Sequence, residues 1–150
     1  MQTTKTSPTT ATTPLTTTFV QVKLEDRPGE LGRCARVIAD AKINLEGFNC
    51  GPGGVHLLLG NPTQALDVLR KNEFEADQVE LFALRLPNQP GQLARIGEEL
   101  GRAEVNVEAC FGVAGARENG RIFVRCDNIE RARPVIEHLA SVQTTGNPNV

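Results

Sequence analysis

The chain has no Trp and no Tyr, and only six Phe and one Met among its 150 residues. So few rings leave no stacking platform for single-stranded nucleic acid. There is no cationic run either: 16 Lys and Arg are scattered against 18 Asp and Glu, for a formal net charge of −2. A phosphate backbone needs cations gathered on one face, so no nucleic-acid partner is expected. The two histidines, His56 and His138, stand far apart and offer no base–nucleophile pair. The four cysteines, Cys34, Cys50, Cys110 and Cys126, make no Cys-x-x-Cys pair. That argues against metal and against a redox dithiol, and for buried free thiols in a reducing cytoplasm. No Gly-x-Ser-x-Gly, His-Glu-x-x-His or phosphate-binding loop occurs, so neither catalysis nor a cofactor is expected. No apolar run can span a bilayer, and the first residues lack a signal peptide's apolar centre. A cytoplasmic protein without a membrane partner follows as the expectation.

What is present is a repeat. Asp26-Arg27-Pro28-Gly29-Glu30-Leu31 is echoed by Asn88-Gln89-Pro90-Gly91-Gln92-Leu93, and Ile43-Asn44-Leu45-Glu46 by Val105-Asn106-Val107-Glu108. The offset is 62 throughout, as 90−28, 93−31, 106−44 and 108−46 show. Each copy reads strand, Pro-Gly corner, helix, Asn, strand. Pro fixes φ and Gly admits a close neighbour, so the pair suits a corner that opens a helix. The helix start leaves N–H groups unpaired at the positive end of its dipole and attracts carboxylate or phosphate. Asp26 and Asn88 are placed to cap it. Asn44 and Asn106 open the next strand and are expected to return near their own corner, so that each copy converges on one small zwitterion.

Taken in order, residues 1–18 are Thr-rich with Pro8 and Pro14; they bury too little to order and read as a disordered tail. Phe19 to Leu24 alternates and reads as a strand. Leu31, Cys34, Ala35, Ile38 and Ala41 give a helix from Gly29 to Ala41 its apolar stripe. Strands follow over Leu45–Cys50 and Val55–Leu59, around a Gly51–Gly54 turn. Asn61-Pro62 caps and starts a helix that runs to Lys71. A short strand, Glu75 to Val79, runs almost directly into Leu81–Leu86, leaving little freedom between the units. In the second copy Leu93, Ile96, Gly97, Leu100 and Ala103 form the helix's inward face. Gly97 and Gly101 suggest close packing there. Val107–Val113 and Arg121–Cys126 are strands joined by a Gly115–Gly120 hairpin. That hairpin absorbs five residues, since the last helices align at 67 (128−61, 132−65, 136−69). Pro134 is expected to kink the last helix or to push its start to Ala132. A short strand near Val142–Thr144 and a frayed 146–150 close the chain.

Each unit thus reads βαββαβ, the ferredoxin-like arrangement: two tandem α+β units, 19–79 and 80–145, with antiparallel sheets and helices on one face. Units of this size are marginal alone and should share a buried surface or pair with another chain. The doubled Pro-Gly corner with its Asn resembles the ACT domain, here as a tandem pair from Phe19 to Thr145. The resemblance implies a non-catalytic regulatory module that binds an amino acid where units meet, working as a homodimer. Carried across residue by residue, it points to Asp26, Gly29 and Asn44, and to Asn88, Gly91 and Asn106. Arg27, Pro28, Gln89 and Pro90 complete the corners. The alternative is a ligand-free subunit of an amino-acid biosynthetic enzyme. Acylphosphatases share the fold, but the Gly-rich loop their chemistry needs is missing beside Arg27.

Overall fold

A computed structural model describes residues 15–113 and 120–144 of the chain. Its elements are β1 (Thr16–Lys23), α1 (Glu30–Asp40), β2 (Leu45–Gly51), β3 (Gly54–Leu59), α2 (Pro62–Lys71), β4 (Ala76–Leu86), α3 (Gln92–Arg102), β5 (Val107–Val113), β6 (Gly120–Cys126) and α4 (Ile129–Thr144). The α+β class and the two ferredoxin-like units are as expected, but their sheets are one. Six antiparallel strands run in the order β2-β3-β1-β4-β6-β5.

The fusion works by sharing. β4 is a single strand of 11 residues, not two short ones. Its first part, Ala76 to Phe82, pairs with β1, and its second part, Phe82 to Leu86, pairs with β6. β1 does the converse: Val20 to Lys23 pair with β3, while Thr16 to Thr18 pair with Glu80 to Phe82. Each central strand is therefore the first strand of its own unit and the fourth strand of the other. This corrects two expectations. The strand starts at Thr16, inside the stretch assigned to the tail; Thr is β-branched and suits a pleated surface. The fourth place in the second sheet is already taken, so Val142–Thr144 has no edge to join and continues α4.

Alternation puts both helical layers on one face. Val20, Val22, Leu57 and Ala76 join Cys34, Ile38, Ala65 and Leu69 in one core. Phe82, Leu84, Leu86 and Val124 join Ile96, Leu100, Ile136 and Leu139 in the other. Phe19 and Leu81 point to the opposite, helix-free face, yet both are buried. The sheet curls to cover them. Four strand spacings separate β3 from β5, about 19 Å if flat, yet the rings of His56 and Phe111 lie 6.0 Å apart. Phe111 also sits 5.6 Å from Phe19, and Phe123 5.1 Å from it, both edge-on. Arg125 Nη1 donates to Gln21 Oε1 at 2.6 Å across the same seam and its Nε pairs with Glu108 Oε2 at 2.9 Å.

Pro134 lies inside α4, which begins at Ile129 rather than Ala132. Asn128 Oδ1 accepts the Arg131 N–H at 2.9 Å and fixes that start. Cys34 and Cys126 are buried as expected, but Cys50 and Cys110, on edge strands, are exposed; all four are free. Gly97 and Gly101 face outward, and nothing lies within 4 Å of where a Cβ would stand on either. The 1–14 tail, the 114–119 part of the hairpin and the 145–150 end fall outside the described residues.

Candidate functional site

The two corners are built alike. Gly29 and Gly91 are the N-cap residues of α1 and α3, with φ of 92° and 90°. That conformation is open to Gly and strained for other residues. The Arg33 N–H donates to the Gly29 carbonyl, and the Arg95 N–H to the Gly91 carbonyl, both at 2.9 Å. Neither Asp26 nor Asn88 caps its helix; no side chain accepts from the first turn of either. The other two helices are capped by asparagine, Asn61 on Gln64 and Asn128 on Arg131. The absence of caps is thus confined to the Pro-Gly corners. Leu31 and Leu93, one residue past the helix start, are left 45% and 61% exposed.

Asp26, Arg27, Pro28, Gly29, Asn44, Asn88, Gln89, Pro90, Gly91 and Asn106 are all exposed. The expected convergence within one unit does not occur. β1 and β2 are both antiparallel to β3 and so run parallel to each other. A parallel pair joined by a helix returns the chain to the starting end of the sheet. Asn44 therefore lies past the far end of α1, whose 11 residues rise about 16 Å. α3 separates Asn106 from Gly91 in the same way. By strand direction, Asn106 shares an end of the sheet with the Gly29 corner, and Asn44 with the Gly91 corner.

Each Asn is fixed through its backbone. The Asn44 carbonyl accepts from the Gly60 N–H at 3.3 Å, and that of Asn106 from the Asp127 N–H at 3.1 Å. In the second unit Asp127 Oδ1 also accepts the Asn106 N–H at 3.0 Å. Beside this contact, where β4 parts from the end of β6, a cleft of about 500 Å³ opens among Glu80, Glu108, Arg125, Asp127 and Glu130. Of these only Glu108, in the repeated Asn segment, stands out in the sequence. A signal was there: the equivalents of Arg125 and Asp127 at offset 67 are Leu58 and Gly60, so charge enters one copy of a strand end only.

The two buried thiols are poor nucleophiles. Burial pushes Cys34 and Cys126 each up to about 11, far from the thiolate form at neutral pH. Burial, then Arg125, lowers the pKa of His56. Among the described residues no group of His, Cys, Asp or Glu could hold a metal ion, and no helix is long and apolar enough to cross a membrane.

No curated protein matches the chain. Protein BT0572 from Bacteroides thetaiotaomicron shares the fold with a TM-score of 0.73 and 22% identity, over 83% of this chain and 88% of that one. The regulatory subunit of aspartate kinase from Thermus flavus gives a TM-score of 0.55 at 12% identity, over 83% and 92%. Aspartokinase III of E. coli, in complex with lysine and aspartate, gives 0.54 at 17%, over 85% of this chain and 31% of that one. The family model that describes an ACT domain pair matches residues 15–145.

Proposed function

This chain belongs to the ACT domain pair family, and we propose that it is a non-catalytic, cytoplasmic regulatory module that binds an amino acid between ACT units. The carrying observation is the pair of helix starts without caps, at Gly29 and Gly91, in a chain whose other helices are capped. A first turn whose N–H groups meet no side-chain acceptor, at the positive end of a dipole, suits a ligand's carboxylate. The flanking Leu31 and Leu93 offer apolar surface to its side chain. Asn44 and Asn106 stand a helix length from their own corners, so a site that uses corner and Asn together draws them from different units. A homodimer provides such a junction. It also covers Leu45 and Val107, which are exposed at equivalent places beside the two asparagines. Ligand bridging two units shifts the population from loose to tight association.

Thermal-shift screening of the twenty amino acids at millimolar level tests this. A ligand at about a hundredfold excess over its Kd adds about 2.7 kcal/mol, a clear rise in Tm. No rise with any of them sinks the reading. A second reading, a ligand-free subunit of a biosynthetic enzyme, draws on Phe48, 66% exposed on the edge strand β2. Under it, Asn44→Ala with Asn106→Ala leaves partner co-purification intact; under the first reading the double variant abolishes the ligand's thermal shift.

A further inference from the structure

The second unit sets two cations face to face on the side of the sheet that its helices leave open. Arg85 and Arg121 are Cα partners across β4 and β6. Leu84 and Leu86, on either side of Arg85, belong to the core under the helices. Alternation therefore sends Arg85 to the helix-free face, and Arg121 with it. The Arg121 guanidinium stands 5.1 Å from the ring of Phe123, its neighbour on that face. Directly opposed side chains start about 4.5–5.5 Å apart at Cβ, and like charges so placed repel. Both arginines are exposed, and neither has a hydrogen bond or ion pair among the described residues. The adjoining sequence brings no surplus of acid. Pro87 to Gly91 is uncharged, residues 1–14 contain no Asp or Glu, and residues 114–119 carry one Arg and one Glu.

The first unit has the same row in a neutral form. The equivalent residues are Lys23 (85−23 = 62) and Gly54 (121−54 = 67), which are also Cα partners. Lys23 faces no second cation, and its Nζ pairs with Glu75 Oε2 at 3.4 Å. Arg125, further along β6 on the same face, is held by Glu108 Oε2 at 2.9 Å and by Gln21 Oε1 at 2.6 Å. Of the cations on this face, the opposed pair alone lacks an acceptor among the described residues.

We propose that Arg85 and Arg121 form a binding site for a phosphate group, free or carried as a monoester on a small molecule. A guanidinium keeps its charge and offers a planar fork that matches phosphate oxygens. Two of them side by side answer a dianion, and the dianion removes the repulsion between them. The half-buried rings of Phe111 and Phe123 lie next along the face and offer apolar surface to whatever the phosphate is attached to. This site is on the opposite side of the sheet from α3 and stands apart from the amino-acid reading.

The test is a titration of the ¹⁵N-labelled full chain with sodium phosphate against sodium chloride at equal ionic strength. Saturable shifts are expected at the Arg85 and Arg121 amides and none at Lys23 or Gly54. Arg85→Gln and Arg121→Gln each weaken phosphate binding by about tenfold or more, as loss of a charge-assisted pair should. Urea unfolding of the two single variants and the double variant reads the repulsion itself. In chloride the double variant gains less than the sum of the singles, because either one alone relieves the pair. In saturating phosphate that coupling reverses sign. No saturable shift, equal shifts at Lys23, single variants that bind phosphate like wild type, or additive variants in chloride overturn the proposal. Phenyl phosphate identifies the source. Tighter binding than inorganic phosphate assigns the site to an ester with its apolar part on the Phe111–Phe123 floor, and equal binding assigns it to free phosphate; both uphold the site.

Discussion

The two halves of the molecule repeat their backbone and diverge in side-chain chemistry. Gly29 and Gly91 hold the same positive φ, as do Lys42 and Glu104 at the helix exits, both at 56°. The register slips at the same place in each edge pair, between Leu45 and Gly47 and between Val107 and Ala109. Asn61 and Asn128 cap equivalent helices. The helix-free face differs. Asn49 and His56 of the first unit answer to Phe111 and Phe123 of the second, and Leu58 to Arg125. Residues that set chain direction recur because the fold needs them twice. Residues at the seam need not recur, because the seam joins unlike partners: a polar strand end on one side, an aromatic pair on the other. Divergence in this chain marks the seam and the corners.

The sharpest way to break this comparison is at Phe19. It is 1% exposed and touches Phe111 and Phe123 of the other unit. Phe19→Ala is expected to cost about 3–5 kcal/mol, the range for truncating a buried ring. β1 and β4 each serve both units, so the loss should appear in urea unfolding followed by circular dichroism as one cooperative transition at a lower midpoint. Two separate transitions would show that the halves fold independently and that the shared strands do not couple them.

A smaller effect is expected at His56. Its Nε2 is buried with no hydrogen-bond partner, and the ring lies beside Phe111, near Arg125, with Gln21 and Asn49 opposite it on the flanking strands. Arg125 is itself held by Glu108. Burial, then Arg125, disfavours the imidazolium, so the folded pKa is below its unfolded value of about 6.5. Below that pH the unfolded chain binds a proton the folded one refuses. Stability is therefore lost as pH falls from about 6.5 toward the folded pKa, and the slope vanishes above about pH 6.5. His56→Phe installs the residue type of the equivalent position 123. It should raise stability by about 1 kcal/mol by removing the unpaired nitrogen and flatten the slope of Tm below about pH 6.5. A slope identical to wild type would move the pH dependence elsewhere.

How far the fold could be read from sequence follows from what each signal encodes. The corners, the Asn caps and the alternating strands are local, and the offset of 62 gave the duplication. The two strands expected on either side of Glu80 are one, because β4 passes through that residue on the way from one partner strand to the other. The helical fate of Val142–Thr144 depends on Thr16–Thr18 holding the sheet position, more than 120 residues away in the chain. The candidate residues could be named one by one from sequence, but not which ends of the sheet they occupy. A parallel crossover carries Asn44 to the far end of α1, and no spacing in sequence announces that.

The smallest predicted effect sharpens the comparison between α1 and α3. At offset 62, Ala35 and Ala39 of α1 answer to Gly97 and Gly101 of α3. Both glycines are exposed, and a Cβ on either would meet nothing within 4 Å. A helix-interior Gly costs about 0.5–1 kcal/mol against Ala. Gly97→Ala with Gly101→Ala should therefore raise the stability of the chain by about 1–2 kcal/mol in total, measured by urea unfolding at low protein concentration. Gly91→Ala serves as the opposite control: at φ +90° a side chain is strained, and stability should fall by about 1–2 kcal/mol. The informative result is the concentration dependence. If the double variant gains stability when dilute but loses it relative to wild type when concentrated, the outer face of α3 is the one a second copy approaches closely. The proposed dimer would then assemble through α3.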